Sequence, residues 1–340
     1  MDATPLSSRV TAPETLEVPV LAGYEWRPAR RDDLDAMMDC ARAIDTVDHP
    51  NYMTPREEVE EEFEHSYVDP ARDSLIAITS DGRIDAWGFA TLSPSQDTLV
   101  RAILFGGVRP EARGTGLGRR LLAWQEGRGL QHLASSDKTL PGWLMSFAET
   151  RQPSTISTLQ RAGFEIARYY LELGRDLSEP TTDRALPDGL TLAPWTPDLD
   201  DTVRDARNDA FRDHWGSQSA DPEQWHSFTT SSLIRRDLSV LAIDSAGDVA
   251  GFVLTTVNPD DWPGQGFSSG YIDLVGVRRA WRGRGVAPAL LSAALELIRD
   301  AGLDKAVLDV DSENPSGALG LYEGVGFVES NRSVNLLKVF

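Results

Sequence analysis

Two segments of this chain close a short apolar run in the same way, with RGTGLG at residues 113–118 and RGRGVA at residues 282–287. Each then hands over to a long stretch with apolar residues at helical spacing. A second pair of landmarks, LQRAGFE around Phe164 and LYEGVGFVE around Phe327, lies at nearly the same separation. Two matched landmarks at one offset describe a duplicated domain. Whatever one half of the chain builds, the other half builds as well.

The two copies read alike. An opening strand (YEWRPA, LTLAPW) precedes an acidic helix start (DDLDAMMDCARAI, DLDDTVRDARNDAF). A hairpin follows, its alternating apolar strands joined at Asp81-Gly82 in one copy and Ala246-Gly247 in the other. Next come a strand, the glycine turn, a long helix, a strand, a short helix and a final strand. Hairpin-linked and helix-linked strands together predict an α/β fold of two tandem domains, each a mixed, mostly antiparallel sheet flanked by helices. The expected boundaries are a flexible leader at 1–20, a first domain at 21–177, a linker at 178–189 and a second domain at 190–340. The linker sits in DLSEPTTDRALPDG, which has no apolar periodicity.

The net charge is −20, a field that repels nucleic acid phosphates and anionic membranes and attracts cations. No apolar run approaches the roughly 20 residues needed to cross a bilayer. The first residues lack a basic start and an apolar core, so a cytoplasmic location is expected. The single cysteine, Cys40, lies among Leu34, Met37, Met38, Ala41 and Ile44 on one helical stripe and reads as a packing thiol. Five scattered histidines offer no ligand spacing, so no metal is expected. A monomer and a homodimer both remain open.

Glycine in the turn allows unusual backbone angles and close approach of a ligand. If residues 282–287 wrap into a helix start, unpaired amides and the helix dipole make an anion site, with Arg282 and Arg284 adding charge. Pro288 fits the first turn and Gly302 the stop. The P-loop pattern is absent, and a dinucleotide fingerprint would stand after the first strand rather than in mid-domain.

The Arg-x-x-Gly-x-(Gly/Ala) turn after a Val-x-Val strand, with NPSGALGLYEGVGF downstream, resembles the GNAT acyl-CoA N-acyltransferase superfamily. The two-domain layout is similar to mycothiol synthase and related tandem acyltransferases of actinobacteria. That resemblance implies acetyl-CoA or another acyl-CoA as donor and a small-molecule primary amine as acceptor. It places the donor's pyrophosphate at Arg282, Gly283, Arg284, Gly285, Val286 and Ala287, and its pantetheine along Val275 and Val277. Asn314 reads as a helix cap before a donor contact. The counterpart turn in the first copy is carried by Arg113, Gly114, Gly116 and Gly118.

Acyl transfer to an amine needs a base, because an alkylammonium with a pKa near ~10 is no nucleophile. The resemblance assigns Tyr322 as the acid for the thiolate and Asp273 as the base; strand alternation puts Asp273 on one face with Val275 and Val277. The matching positions of the first copy are Leu159 and Leu104, so that copy is expected to have lost catalysis. Asp213, His214, Trp215 and Trp225 are candidates for an acceptor pocket. Two alternatives stand beside this reading: a protein or peptide N-acetyltransferase of the same fold, and a non-catalytic acyl-CoA-binding sensor.

Overall fold

The computed structural model describes residues 4–181, 184–314 and 317–340. Residues 1–3 of the expected leader and 182–183 of the expected linker lie outside the described residues, as do Pro315 and Ser316 of the NPSGALG motif. The chain forms two compact units, one of Met1–Arg168 with Ser333–Phe340, the other of Tyr169–Arg332.

In chain order the first half carries α1 (Leu6–Arg9), β1 (Tyr24–Arg27), α2 (Leu34–Asp48), α3 (Arg56–Glu61), α4 (Pro70–Asp73), β2 (Ser74–Thr79) and β3 (Ile84–Leu92). It continues with β4 (Val100–Val108), α5 (Leu117–Ala134), β5 (Gly142–Glu149), α6 (Pro153–Arg161) and β6 (Glu165–Asp176). The second half repeats the plan with β7 (Leu190–Pro194), α7 (Asp200–Phe211), α8 (Pro222–Thr230), β8 (Val240–Asp244), β9 (Val249–Thr256) and α9 (Trp262–Gln265). It ends with β10 (Ser269–Val277), α10 (Val286–Asp300), β11 (Lys305–Asp311), α11 (Ala318–Glu323) and β12 (Val328–Val339).

The first unit orders its sheet β1-β2-β3-β4-β5, closed by the end of β12; the second orders its sheet β6-β11-β10-β9-β8-β7. All neighbours run antiparallel except β4 with β5 and β10 with β11. The tandem α/β architecture is therefore present. The division differs from the one composition suggested, because each sheet is completed by the other half of the sequence. Ser333–Val339 pairs with Val339's partner Trp143 through to Glu149 on β5, and β11 pairs with Tyr170–Asp176 of β6. Leu171 and Leu173 of β6 enter the core beneath α10, whereas Val334 and Leu336 of β12 enter the core of the first unit. A bare strand edge is a liability, and these strands cover the free edges of β5 and β11.

The described part of the leader, expected to be flexible, packs against α5. Leu6 is fully buried, and Leu16 lies where a side chain on Gly127 of α5 would stand. Gln131 of α5 donates to the Pro13 carbonyl and Arg120 to that of Val20. The cause is α5 itself: glycine at 127 opens a groove on its outer face, and apolar leader residues fill it.

A chain restricted to residues 190–340 lacks β6 and leaves β11 with an unpaired edge. Its thermal melt should show no cooperative transition and its light scattering should show association, whereas the full chain melts cooperatively.

Candidate active site

The second unit builds its site where two strands part. β10 and β11 pair in parallel only over Ser269–Tyr271 and Lys305–Val307, then separate. On its other edge β10 follows β9 as far as Val277, and the Arg278 amide donates to the Ala250 carbonyl. Strand alternation therefore turns the N–H groups of Val275 and Val277 away from β9, towards the opening. Backbone groups at the two positions expected to meet pantetheine thus face the gap.

Asp273 stands at a register slip between Ile272 and Leu274, a β-bulge. The bulge corrects the alternation argument. Ile272, Val275 and Val277 all pack with the α10 core, while Leu274 packs with the core of α7 and α8. The phase of the strand flips at Asp273, so counting by twos across it fails. Asp273 as a residue is exposed at the protein surface. Surrounding protein atoms nevertheless exclude enough water that desolvation alone pushes its pKa up to about 6.

Tyr322 lies in α11, with 8% of its surface exposed and its ring edge-on to Phe327 at 5.9 Å between centroids. Desolvation alone pushes the phenol up to about 12, so it holds its proton at any physiological pH. The helix cap is Gly317, in the left-handed region, rather than Asn314. Asn314 instead closes a tight turn, donating its amide to Asp311 and accepting from the amide of Gly317.

The glycine turn is built as its sequence requires. Gly283 and Gly285 have φ of 70° and 83°, a region costly for residues with a Cβ, and Gly285 caps α10. The first amides of α10, at Val286 and Ala287, have no carbonyl one turn back. Arg284 is exposed and lies 5.0 Å from the Trp281 ring. Arg282 is engaged otherwise: it donates to the carbonyls of Val277 at 3.3 Å and Ala210 at 2.5 Å, and pairs with Asp213 at 3.4 Å. It ties the turn to the strand end and to α7, so its contribution is placement. Gly302 follows the end of α10 with φ of 84°, as expected of a stop.

The loop after α7 approaches the same turn. Asp213 also pairs with Arg279, and His214 packs on Phe211 at 4.5 Å between ring centroids. Burial, aided by Arg282 and Arg207, lowers the His214 pKa and favours the neutral imidazole. Trp215 is half-buried. Trp225 is a core residue, 6% exposed, with its indole donating to the Asp200 carbonyl, so it does not line a pocket.

The first unit keeps the frame and carries leucine at both matched positions. Gly114 and Gly116 are left-handed, with φ of 77° and 94°, and Gly118 opens α5 against Val108. Arg113 donates to the Val108 carbonyl and grips Asp48 with two bonds of 2.7 Å. β4 parts from β5 after Ile103, yet it pairs with β3 from Ala102 to Val108 with no slip. Leu104 and Leu159 are buried at 1% and 4% exposure. Cys40 is fully buried, and desolvation pushes its thiol up to about 12, the state of a packing residue.

Sequence reasoning missed the bulge, and it missed Tyr271, Asp309 and Glu172, which share one face of the second sheet. Tyr271 donates its hydroxyl to Asp309 at 2.8 Å, and Glu172 stands opposite Asp309 in register. Glu172 comes from β6, in the other half of the sequence, so no reading confined to one copy could have found it.

The profile of the acetyltransferase (GNAT) family matches residues 201–327. A mycothiol acetyltransferase of Salinispora tropica is 31% identical over 270 residues, 77% of this chain and 80% of that protein. One from Salinispora arenicola is 33% identical over 67% of this chain and 70% of its own. Among solved structures, a GCN5-related N-acetyltransferase from Sphaerobacter thermophilus superposes with a TM-score of 0.68 at 25% identity, covering 94% of this chain and 97% of its own. A tandem GNAT protein from the clavulanic acid biosynthesis pathway gives 0.66 at 16% identity, over 93% and 98% of the two chains, and speaks for the fold alone.

Proposed function

The chain belongs to the GNAT acetyltransferase family and is an acyl-CoA-dependent acetyltransferase, and we propose that its second unit moves an acetyl group from acetyl-CoA to a primary amine of a small metabolite. The observation that carries this reading is the bulge at Asp273, which sets a desolvated carboxyl at the mouth of an opening whose backbone amides have no strand partner. The mycothiol acetyltransferases it resembles favour a small acceptor over a protein.

Bound at the glycine turn, acetyl-CoA would supply the thioester. The left-handed glycines, the unpaired amides of Val286 and Ala287 and the exposed Arg284 suit its pyrophosphate. Asp273, through a water molecule, takes a proton from the ammonium so that the nitrogen lone pair can form the C–N bond. The Val275 N–H donates to the carbonyl oxygen as it becomes negative. As the C–S bond breaks, the Tyr322 hydroxyl gives its proton to sulfur, and the second proton that the nitrogen sheds to become an amide restores the hydroxyl through solvent. The first unit, with leucines at both chemical positions and no bulge, is read as a non-catalytic partner.

A base must be ionised to act, so kcat/KM should rise through a pH of about 6, where the Asp273 carboxyl titrates, and level off above it. Asp273→Asn should remove that limb and lower kcat by about 10²–10⁴. Tyr322→Phe should lower kcat by about 10²-fold or more while the melting temperature holds. Unchanged turnover in that variant would make water the proton source. Gly285→Asp forces a side chain into a left-handed position, with strain of roughly 1–2 kcal/mol, and sets a negative charge against the helix start. Calorimetry should then record no acetyl-CoA binding at the second unit.

A further inference from the structure

The approach to the glycine turn of the second unit is crowded with positive charge. Arg278, Arg279, Arg282 and Arg284 all stand between β10 and α10, and the segment ends at a helix start, itself the positive end of a dipole. Among the described residues one carboxylate pairs with these arginines: Asp213, from the loop after α7. One of its oxygens accepts from Arg279, and the other lies 3.4 Å from Arg282. The end of α7 adds two further ties to the same segment. Asp209 accepts from the Arg279 amide at 3.0 Å, and the Ala210 carbonyl accepts from Arg282. Asp209 and Asp213 stand one helical turn apart, so the end of α7 and the loop behind it hold the segment along one side.

The first unit repeats the clamp. Asp48-His49 and Asp213-His214 stand at or just past the end of the first long helix of each copy, at a separation that falls between those of the two landmark pairs. Asp48 is the residue that Arg113 grips with two bonds. A copy with leucine at both matched positions keeps the same aspartate on the same arginine, so the pair serves the frame of the turn. Exposed ion pairs add little to stability, and half of the Asp213 side chain is exposed. What such a clamp can decide is where the turn stands relative to the loop.

We infer that Asp213 is a positioning residue for donor binding: by holding Arg279 and Arg282 together it sets the glycine turn against the loop after α7, so that the donor's pyrophosphate meets amides already in place and the loop tightens when the donor is bound. The inference rests on the acetyl-transfer reading, in which this turn takes the donor. Asp213, a candidate for the acceptor pocket, engages the turn instead. Its negative charge taken alone repels an anionic donor. Loss of the charge by itself therefore strengthens binding, whereas loss of placement weakens it, and the sign of the effect separates the two.

The test titrates acetyl-CoA into the full chain by calorimetry, read at the site that Gly285→Asp abolishes. Asp213→Asn should raise Kd by about threefold to tenfold, the scale of two exposed ion pairs, with the melting temperature unchanged. Asp213→Glu keeps the charge on a longer arm and should restore most of the affinity. Asp237→Asn removes an ion pair of similar exposure in the same unit, that of Asp237 with Arg235, and should leave Kd as it is. Hydrogen exchange supplies a second readout. The amides of His214 and Ser217 donate to the carbonyls of Phe211 and His214, and acetyl-CoA should slow their exchange in the parent chain but not in Asp213→Asn. Unchanged or tighter binding in Asp213→Asn would overturn the inference and leave acetyl transfer standing. So would slowing that persists in that variant, because other contacts would then join loop and turn. An equal loss in Asp237→Asn, or a melting temperature that falls along with the affinity, would mark a general weakening of the fold and overturn it too. Absence of binding to the parent chain would remove both this inference and the acetyl-transfer reading beneath it.

Discussion

Parallel strands that pair for three residues and then diverge leave main-chain donors and acceptors facing a gap, where the neighbouring strand no longer pairs with them. In the second unit the surroundings of that gap are organised so that it can persist. β9 holds the outer edge of β10, and β6 holds that of β11 along its full length, from Lys305 to Asp311. Arg282 pins the glycine turn to the end of β10 and to α7, which fixes the start of α10 at the mouth. The opening is thus a property of the whole sheet, and a ligand that supplies strand-like hydrogen bonds would complete it.

The two units share a frame and differ at a few positions. Both have the parting strands, both have left-handed glycines before the long helix, and in both an arginine ties the turn to the preceding strand. The second alone has the slip in its fourth strand. The first packs Leu104 and Leu159 instead, each contributing roughly 1.5–3 kcal/mol by burial. The desolvated carboxyl works in the opposite direction. Its native pKa of about 6 lies above the 3.8 of a free aspartate. The folded state therefore binds the proton more tightly, and this group's contribution to stability falls as pH rises from about 4 to about 6. Above a pH of about 6 the ionised carboxyl therefore weakens the sheet that presents it.

What the sequence disclosed was whatever depends on neighbours along the chain. The duplication, the hairpins at Gly82 and Gly247, the capping glycines and the helix of Tyr322 all follow from local spacing. The bulge at Asp273 was hidden because alternation has no letter for an extra residue; only the ladder with β9 reveals it. The leader looked loose because its few apolar residues have no periodicity of their own. Their partner is a groove made by Gly127, far along the chain. Glu172 was invisible for a similar reason: its register partner Asp309 lies in the other copy, and apolar alternation in YYLELG fits a strand of either domain.

The exchange of closing strands also bears on how such a chain is made and kept. Residues 333–340 follow the whole of the second unit in order of synthesis, yet they complete the sheet of the first. The first unit must therefore wait with one edge open while the second is translated, and both close late, through contacts remote in sequence, which is a slow route. The same exchange makes the halves hostages to each other over evolutionary time. A copy that sheds its chemistry still lends the strand that seals its neighbour, so mutation can silence it and deletion cannot remove it.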